Sequence, residues 1–185
     1  MARLSPATRD TVPESQRDVF DEIVGSGSPA ATGPGSVTIH VPEAGKRLSA
    51  LNQYLRETSS LPKKVQELAM LVTAREMDCQ YVWNAHAASA KAEGVPAAVV
   101  DALREGDDMP PLAPDEAAVI NYGQEFYRTH RISSGTFQAV QESLGKQGLV
   151  ELTMIMGNYA LMAFLVNSFD SSLPATRTEL LLPVV

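Results

Sequence analysis

The stretch "ELAMLVTAREMDCQYVWNAH", residues 67–86, gathers the chain's only cysteine, its only tryptophan and one of its three histidines behind a glutamate. Glu67 and His86 are the pair whose types and spacing best suit chemistry. They lie nineteen residues apart with "REMD" between them, enough for two helices to meet near a turn. A carboxylate facing an imidazole favours the protonated ring and holds its tautomer. Such a pair can donate or accept a proton near neutral pH, which is general acid–base work; it can equally be a structural contact. Glu67 sits between Val65 and Leu68, and a carboxylate buried in apolar surroundings is costly unless something pairs with it.

Cys79 is a weaker candidate. It precedes His86 by seven residues, which on one helix is roughly 10 Å along the axis, too far for a thiol–imidazole hydrogen bond of about 3 Å. Val82, one turn before His86, is not a second cysteine, so there is no C-x-x-C pair and no resolving thiol within the subunit. Alone, Cys79 reads as a small buried hydrophobe or as a nucleophile that needs an external thiol. Tyr81 and Trp83 flank Val82 and point different ways: one is expected to line a pocket, the other to fill core. Arg75 follows Glu67 by eight residues, and Arg56, Arg128 and Arg131 are further cations that an acidic substrate could use. His40 lies in a loop-rich region and His130 ends a helix, where the helix dipole accounts for it. No spacing among the three histidines spells a metal site. Nothing resembles a flavin, nicotinamide or phosphate-binding loop, so no metal and no cofactor is expected.

The elements that must position these groups read as helices. "PESQRDVFDEIVGSG" has Val19, Phe20 and Ile23 on one side and Gly25 and Gly27 as its stop. "SGSPAATGPG" reads as a mobile loop. "HVPEAGKRLSALNQYLRETSS" places Leu48, Leu51 and Leu55 on one apolar side. "LPKKVQELAMLVTAREM" starts after Pro62, with Val65, Leu68, Ala69 and Val72 inward; "CQYVWNAHAASAKAEG" follows and stops at Gly94. Then come "PAAVVDALREG", "APDEAAVINYGQEFYRTH" and "SSGTFQAVQESLG", and a last helix from about Leu149 to Phe169. With no alternating strand, the fold expected is all-α: one domain over 1–185, with an irregular arm carrying short helices (1–60) and a helical core (61–170).

Composition bounds the partners. The 185 residues suit one domain, with 44% hydrophobic and 20% charged residues. A net charge of -7 without a basic run argues against nucleic acid and anionic membrane. One cysteine and a start without a signal-peptide core point to the cytoplasm. The uncharged run Leu152–Phe169 is at the lower limit of a membrane span, but Gly157, Asn158, Asn167 and Ser168 interrupt it, favouring a core or subunit-interface helix. A faint echo relates "ELAMLVTA" to "ELTMIMGN" at an offset of 84 residues, with Ala163 in place of Cys79 and Asp170 in place of His86. It reads either as two similar core helices or as a duplicated unit in which only the first copy keeps reactive groups.

Residues 61–106 and 144–169 resemble the carboxymuconolactone decarboxylase superfamily, which includes the AhpD-like alkylhydroperoxidases. The resemblance rests on a glutamate, a cysteine twelve residues on, a histidine seven further, and the "A…GV" that follows. It implies an AhpD-like helical bundle that assembles into dimers, trimers or hexamers, with pockets near subunit contacts. By that resemblance Glu67 falls at the relay glutamate, Cys79 at the first cysteine and His86 at the relay histidine. Val82 occupies the place of the peroxide-attacking cysteine, and Tyr81 that of the histidine between the cysteines. The decarboxylase branch needs no thiol, and there His86 supported by Glu67 would protonate a carbanion or dienolate after CO₂ leaves a small carboxylated lactone. Dedicated decarboxylases of that branch are usually shorter than this chain. The expectation is therefore a lyase acting through Glu67 and His86, with Cys79, Tyr81, Trp83 and Arg75 as auxiliary candidates. The alternatives are a hydroperoxide reductase using Cys79 and a non-catalytic, ligand-binding oligomer.

Overall fold

Ten consecutive residues from Val65 to Ala74 are buried, so the helix that carries Glu67 has no solvent face. The computed structural model describes residues 2–25, 32–177 and 179–183, and its regular elements are all helical. A 3₁₀ turn (Glu14–Gln16) leads into α1 (Arg17–Gly25), followed by α2 (Pro34–Thr38) and α3 (Pro42–Gln53). Helix α3 runs on as a π-helical turn, Tyr54–Thr58. Then come α4 (Lys63–Glu76), α5 (Gln80–Ala92), α6 (Ala97–Glu105), α7 (Pro114–Thr129) and α8 (Ser134–Ser168).

Helix α4 is the axis of the bundle, with α5, α7 and α8 packed around it. Its Leu68, Ala69, Met70, Leu71 and Val72 are almost wholly removed from water, and burying one large aliphatic side chain stabilises by about 1.5–3 kcal/mol. Helix α7 comes closest through Gly123: a Cβ there would stand 2.6 Å from Val72 Cγ1. The turn from α4 to α5 is tight. Asp78 takes a left-handed φ of 46°, which aspartate tolerates better than most residues, and Arg75 Nη1 donates to its carboxylate at 2.8 Å. Cys79 then opens α5. The antiparallel pair so formed faces Glu67 towards His86.

Several expectations change. The loop read at "SGSPAATGPG" falls partly on 26–31, outside the described residues, as does Gly27; its last part is not loop, because Pro34 starts α2. Leu51 is exposed while Leu55 is fully buried, since the π turn shifts the helical register just past Leu51. The last two helices form one element that breaks only at Gly145, whose φ of 70° is left-handed. Helical backbone therefore resumes before Leu149, where the final helix was expected to start. An 18-residue window of α8 is apolar enough to cross a membrane by length and composition, but 56% of it is buried inside the bundle. The arm is tied to the end of α8, where Arg3 N–H and guanidinium donate to Phe169 O and Ser168 O.

Candidate active site

Glu67 is 4% exposed and His86 6%. Glu67 Oε2 accepts a hydrogen bond from His86 Nδ1 at 2.8 Å, which fixes the ring with Nδ1–H inward. His86 Nε2 makes no hydrogen bond to any described residue, and it is not among the fully enclosed unpartnered atoms. The nitrogen not engaged by Glu67 is thus Nε2. The other carboxylate oxygen, Glu67 Oε1, lies 3.4 Å from Arg56 Nη2. Arg56 comes from the π turn, and 41% of its side chain is exposed. Tyr159 of α8 closes the site, its ring edge-on to His86 with centroids 5.2 Å apart. Burial pushes the Tyr159 hydroxyl up to about 12, although the Arg56 guanidinium beside it pulls the other way. Tyr159 is therefore a neutral donor at physiological pH.

The echo at 84 residues has a structural counterpart. Glu151, the second copy's glutamate, is also buried mid-helix, beneath the same π turn. It accepts hydrogen bonds from Tyr54 hydroxyl, Ser60 N–H and hydroxyl, and Gln147 amide. Burial opposes its charge, yet these donors hold its carboxyl down at about 2. All its visible partners are neutral, whereas Glu67 meets an imidazole and a guanidinium. The copies differ in backbone too: α8 runs straight through Ala163, where the first copy turns at Cys79.

None of the auxiliary candidates hydrogen-bonds to the pair among the described residues. Cys79 is fully buried and burial pushes its thiol up. Tyr81 turns to the arm, its ring against Gly33 and its hydroxyl 3.4 Å from Thr32 Oγ1. Trp83 is core, and its indole N–H donates to Leu180 O of the C-terminal tail at 2.9 Å. Arg75 lies two turns along α4 from Glu67, about 12 Å away, in a different cleft with Arg128. Sequence reasoning missed Tyr159 altogether, because a tyrosine in an uncharged core helix carries no signal of its own. Arg56 was one of several cations, and only the π turn singles it out.

Residues 42–125, which include Arg56, Glu67, Cys79 and His86, match the profile of the Carboxymuconolactone decarboxylase family. No curated protein matches the chain. Among solved structures, an alkylhydroperoxidase AhpD core protein from Ralstonia eutropha JMP134, a peroxidase-related protein, superposes with a TM-score of 0.69. It has 17% identity and covers 94% of this chain and 93% of its own. A peroxidase-related protein from Silicibacter sp. TM1040 gives 0.69 at 15% identity, covering 94% and 92%. A variant of the debrominase Bmp8 in complex with 2,3,4-tribromopyrrole gives 0.65 at 12%, covering 95% of each chain. At these identities the likeness to the solved structures is one of fold.

Proposed function

We propose a thiol-independent lyase, from the match of residues 42–125 to the Carboxymuconolactone decarboxylase family and from the single cysteine. His86, supported by Glu67, acts as general acid and base on a small carboxylated lactone or aromatic-derived acid. The observation that carries this reading is the buried pair itself: His86 Nδ1 is bound to Glu67, and Nε2 has no hydrogen-bond partner among the described residues.

In the reaction, the bond between the substrate carbon and its carboxylate breaks and CO₂ leaves. The electron pair stays on carbon as a dienolate, and the imidazolium gives its Nε2 proton to that carbon. The neutral ring then regains a proton from water. Glu67 keeps Nδ1–H in place and balances the positive ring. Burial of the pair strengthens both effects, because charges interact more strongly away from water. The hydroperoxide-reductase alternative draws no support from Cys79, whose thiol is buried and pushed up.

The active unit is a homo-oligomer of single-domain subunits, 1–185. Val150, Met154, Gly157, Leu161 and Phe164 recur on α8 at four- and three-residue steps, the spacing of a helix–helix seam. All five face outward on this subunit, and Phe164 is 67% exposed. A second copy is the simplest occupant of a seam that matches itself.

A panel of carboxylated lactones and small aromatic acids tests the function. Turnover in D₂O should release CO₂ and leave deuterium on the carbon that lost it. Turnover without deuterium at that carbon would contradict protonation by His86.

A further inference from the structure

We propose that the cleft formed by α3, the π turn and the start of α4 is the mouth of this site, and that Arg56 is its carboxylate anchor. The proposal rests on the acid–base reading of Glu67 and His86 and deepens it by naming how an acidic substrate is held.

The cleft has a volume of about 550 Å³ and is lined by Ser49, Asn52, Gln53, Arg56, Glu57 and Lys63. Two of these are cations and one is an acid, and Glu57 is already taken by Gln53 Nε2 at 3.1 Å. Glu57 keeps its charge, so the lining sums to one positive charge, and Arg56 shares its own with the buried Glu67. Arg56 alone connects this cleft with the buried pair. Its Nη2 reaches Glu67 Oε1 at 3.4 Å, a long contact near the limit of a hydrogen bond, while the partly exposed side chain also lines the cleft. A planar five-donor fork suits a carboxylate, because two parallel N–H groups meet its two oxygens. Lys63 donates to the Arg56 carbonyl and so holds the backbone from which the fork projects.

The other arginine-bearing cleft shows why cations alone do not make such a site. Arg75 and Arg128 share about 470 Å³ with Glu76, Asp78, Asp107 and Asp108. Arg75 is bonded to Asp78, and Arg128 is bonded twice to Glu76. Both cations are neutralised and two acids remain, so that cleft repels an anion.

Benzoate is the probe, with binding to the full-length protein followed by calorimetry in wild type and in Arg56→Gln, Arg56→Lys, Arg75→Gln and His86→Gln, each checked for helical content. Wild type and Arg75→Gln should bind within about twofold of one another. Arg56→Gln should bind at least tenfold more weakly, with Arg56→Lys between, and benzamide should not compete. Unchanged affinity in Arg56→Gln, or loss in Arg75→Gln instead, overturns the proposal. If Arg56→Gln loses benzoate while His86→Gln keeps full turnover, the anchor stands and the acid–base reading falls.

Discussion

Glu67 and His86 meet at 2.8 Å across the α4–α5 pair, both almost wholly buried, with Arg56 on the far oxygen of the same carboxylate. A carboxylate placed so fixes the imidazole tautomer and stabilises the positive ring. Glu67→Gln keeps the shape but removes the charge and lets the ring flip. kcat should fall on the order of 10²-fold or more, with KM little changed, in a steady-state assay. A change confined to KM would make Glu67 a binding group.

Glu151 offers a stability test that leaves the site alone. Its carboxyl is drawn from about 4.5 down to about 2 by neutral donors that outweigh burial. The folded chain therefore keeps this charge at pH values where the unfolded chain has already taken up a proton. The stabilisation is complete above about pH 4.5 and drains away as pH falls towards 2. Urea unfolding of wild type and Glu151→Gln should show their largest difference near neutral pH and a much smaller one near pH 2. A constant difference across that window would mean that the donors contribute packing alone.

The C-terminal tail is strapped to the helix that carries His86. Gln80 pairs through its amide with both the N–H and the carbonyl of Leu182, Trp83 donates to Leu180 O and Arg104 to Leu181 O. Removing residues 179–185 should move the emission of the only tryptophan to longer wavelength, because its indole loses this cover, while helical content stays near wild type. An unmoved spectrum would show that the strap does not shield Trp83.

The seam on α8 predicts assembly. Phe164→Glu puts a charge in the middle of any contact made there and should shift the protein to a smaller species in light scattering after gel filtration. If mass is unchanged, subunits meet elsewhere or not at all.

Much of the arrangement is legible before any coordinates. The apolar run around Glu67 says that the glutamate is buried, and "REMD" marks the turn that lets His86 come back to it. What is not legible depends on geometry that residue types do not encode. The π turn, which no sequence signal announced, turns Leu51 outward and presents Arg56 to Glu67 and Tyr54 to Glu151. Tyr159 joins the site because α8 packs on α5. One of Tyr81 and Trp83 was expected to line a pocket and the other to be core; Trp83 is core, with its indole on the tail, and the arm claims Tyr81. Contacts between segments so distant in sequence leave no local pattern to read.

The most direct test of the central claim is a paired rate measurement on the substrate that the panel identifies, comparing His86→Gln with Cys79→Ala. Both side chains are buried, so circular dichroism and thermal melting should first establish that each variant folds. The account predicts that the histidine variant loses nearly all turnover, by about 10²–10⁴-fold, while the cysteine variant keeps a rate close to wild type. A working histidine variant beside a dead cysteine variant would contradict it and assign the chemistry to the thiol.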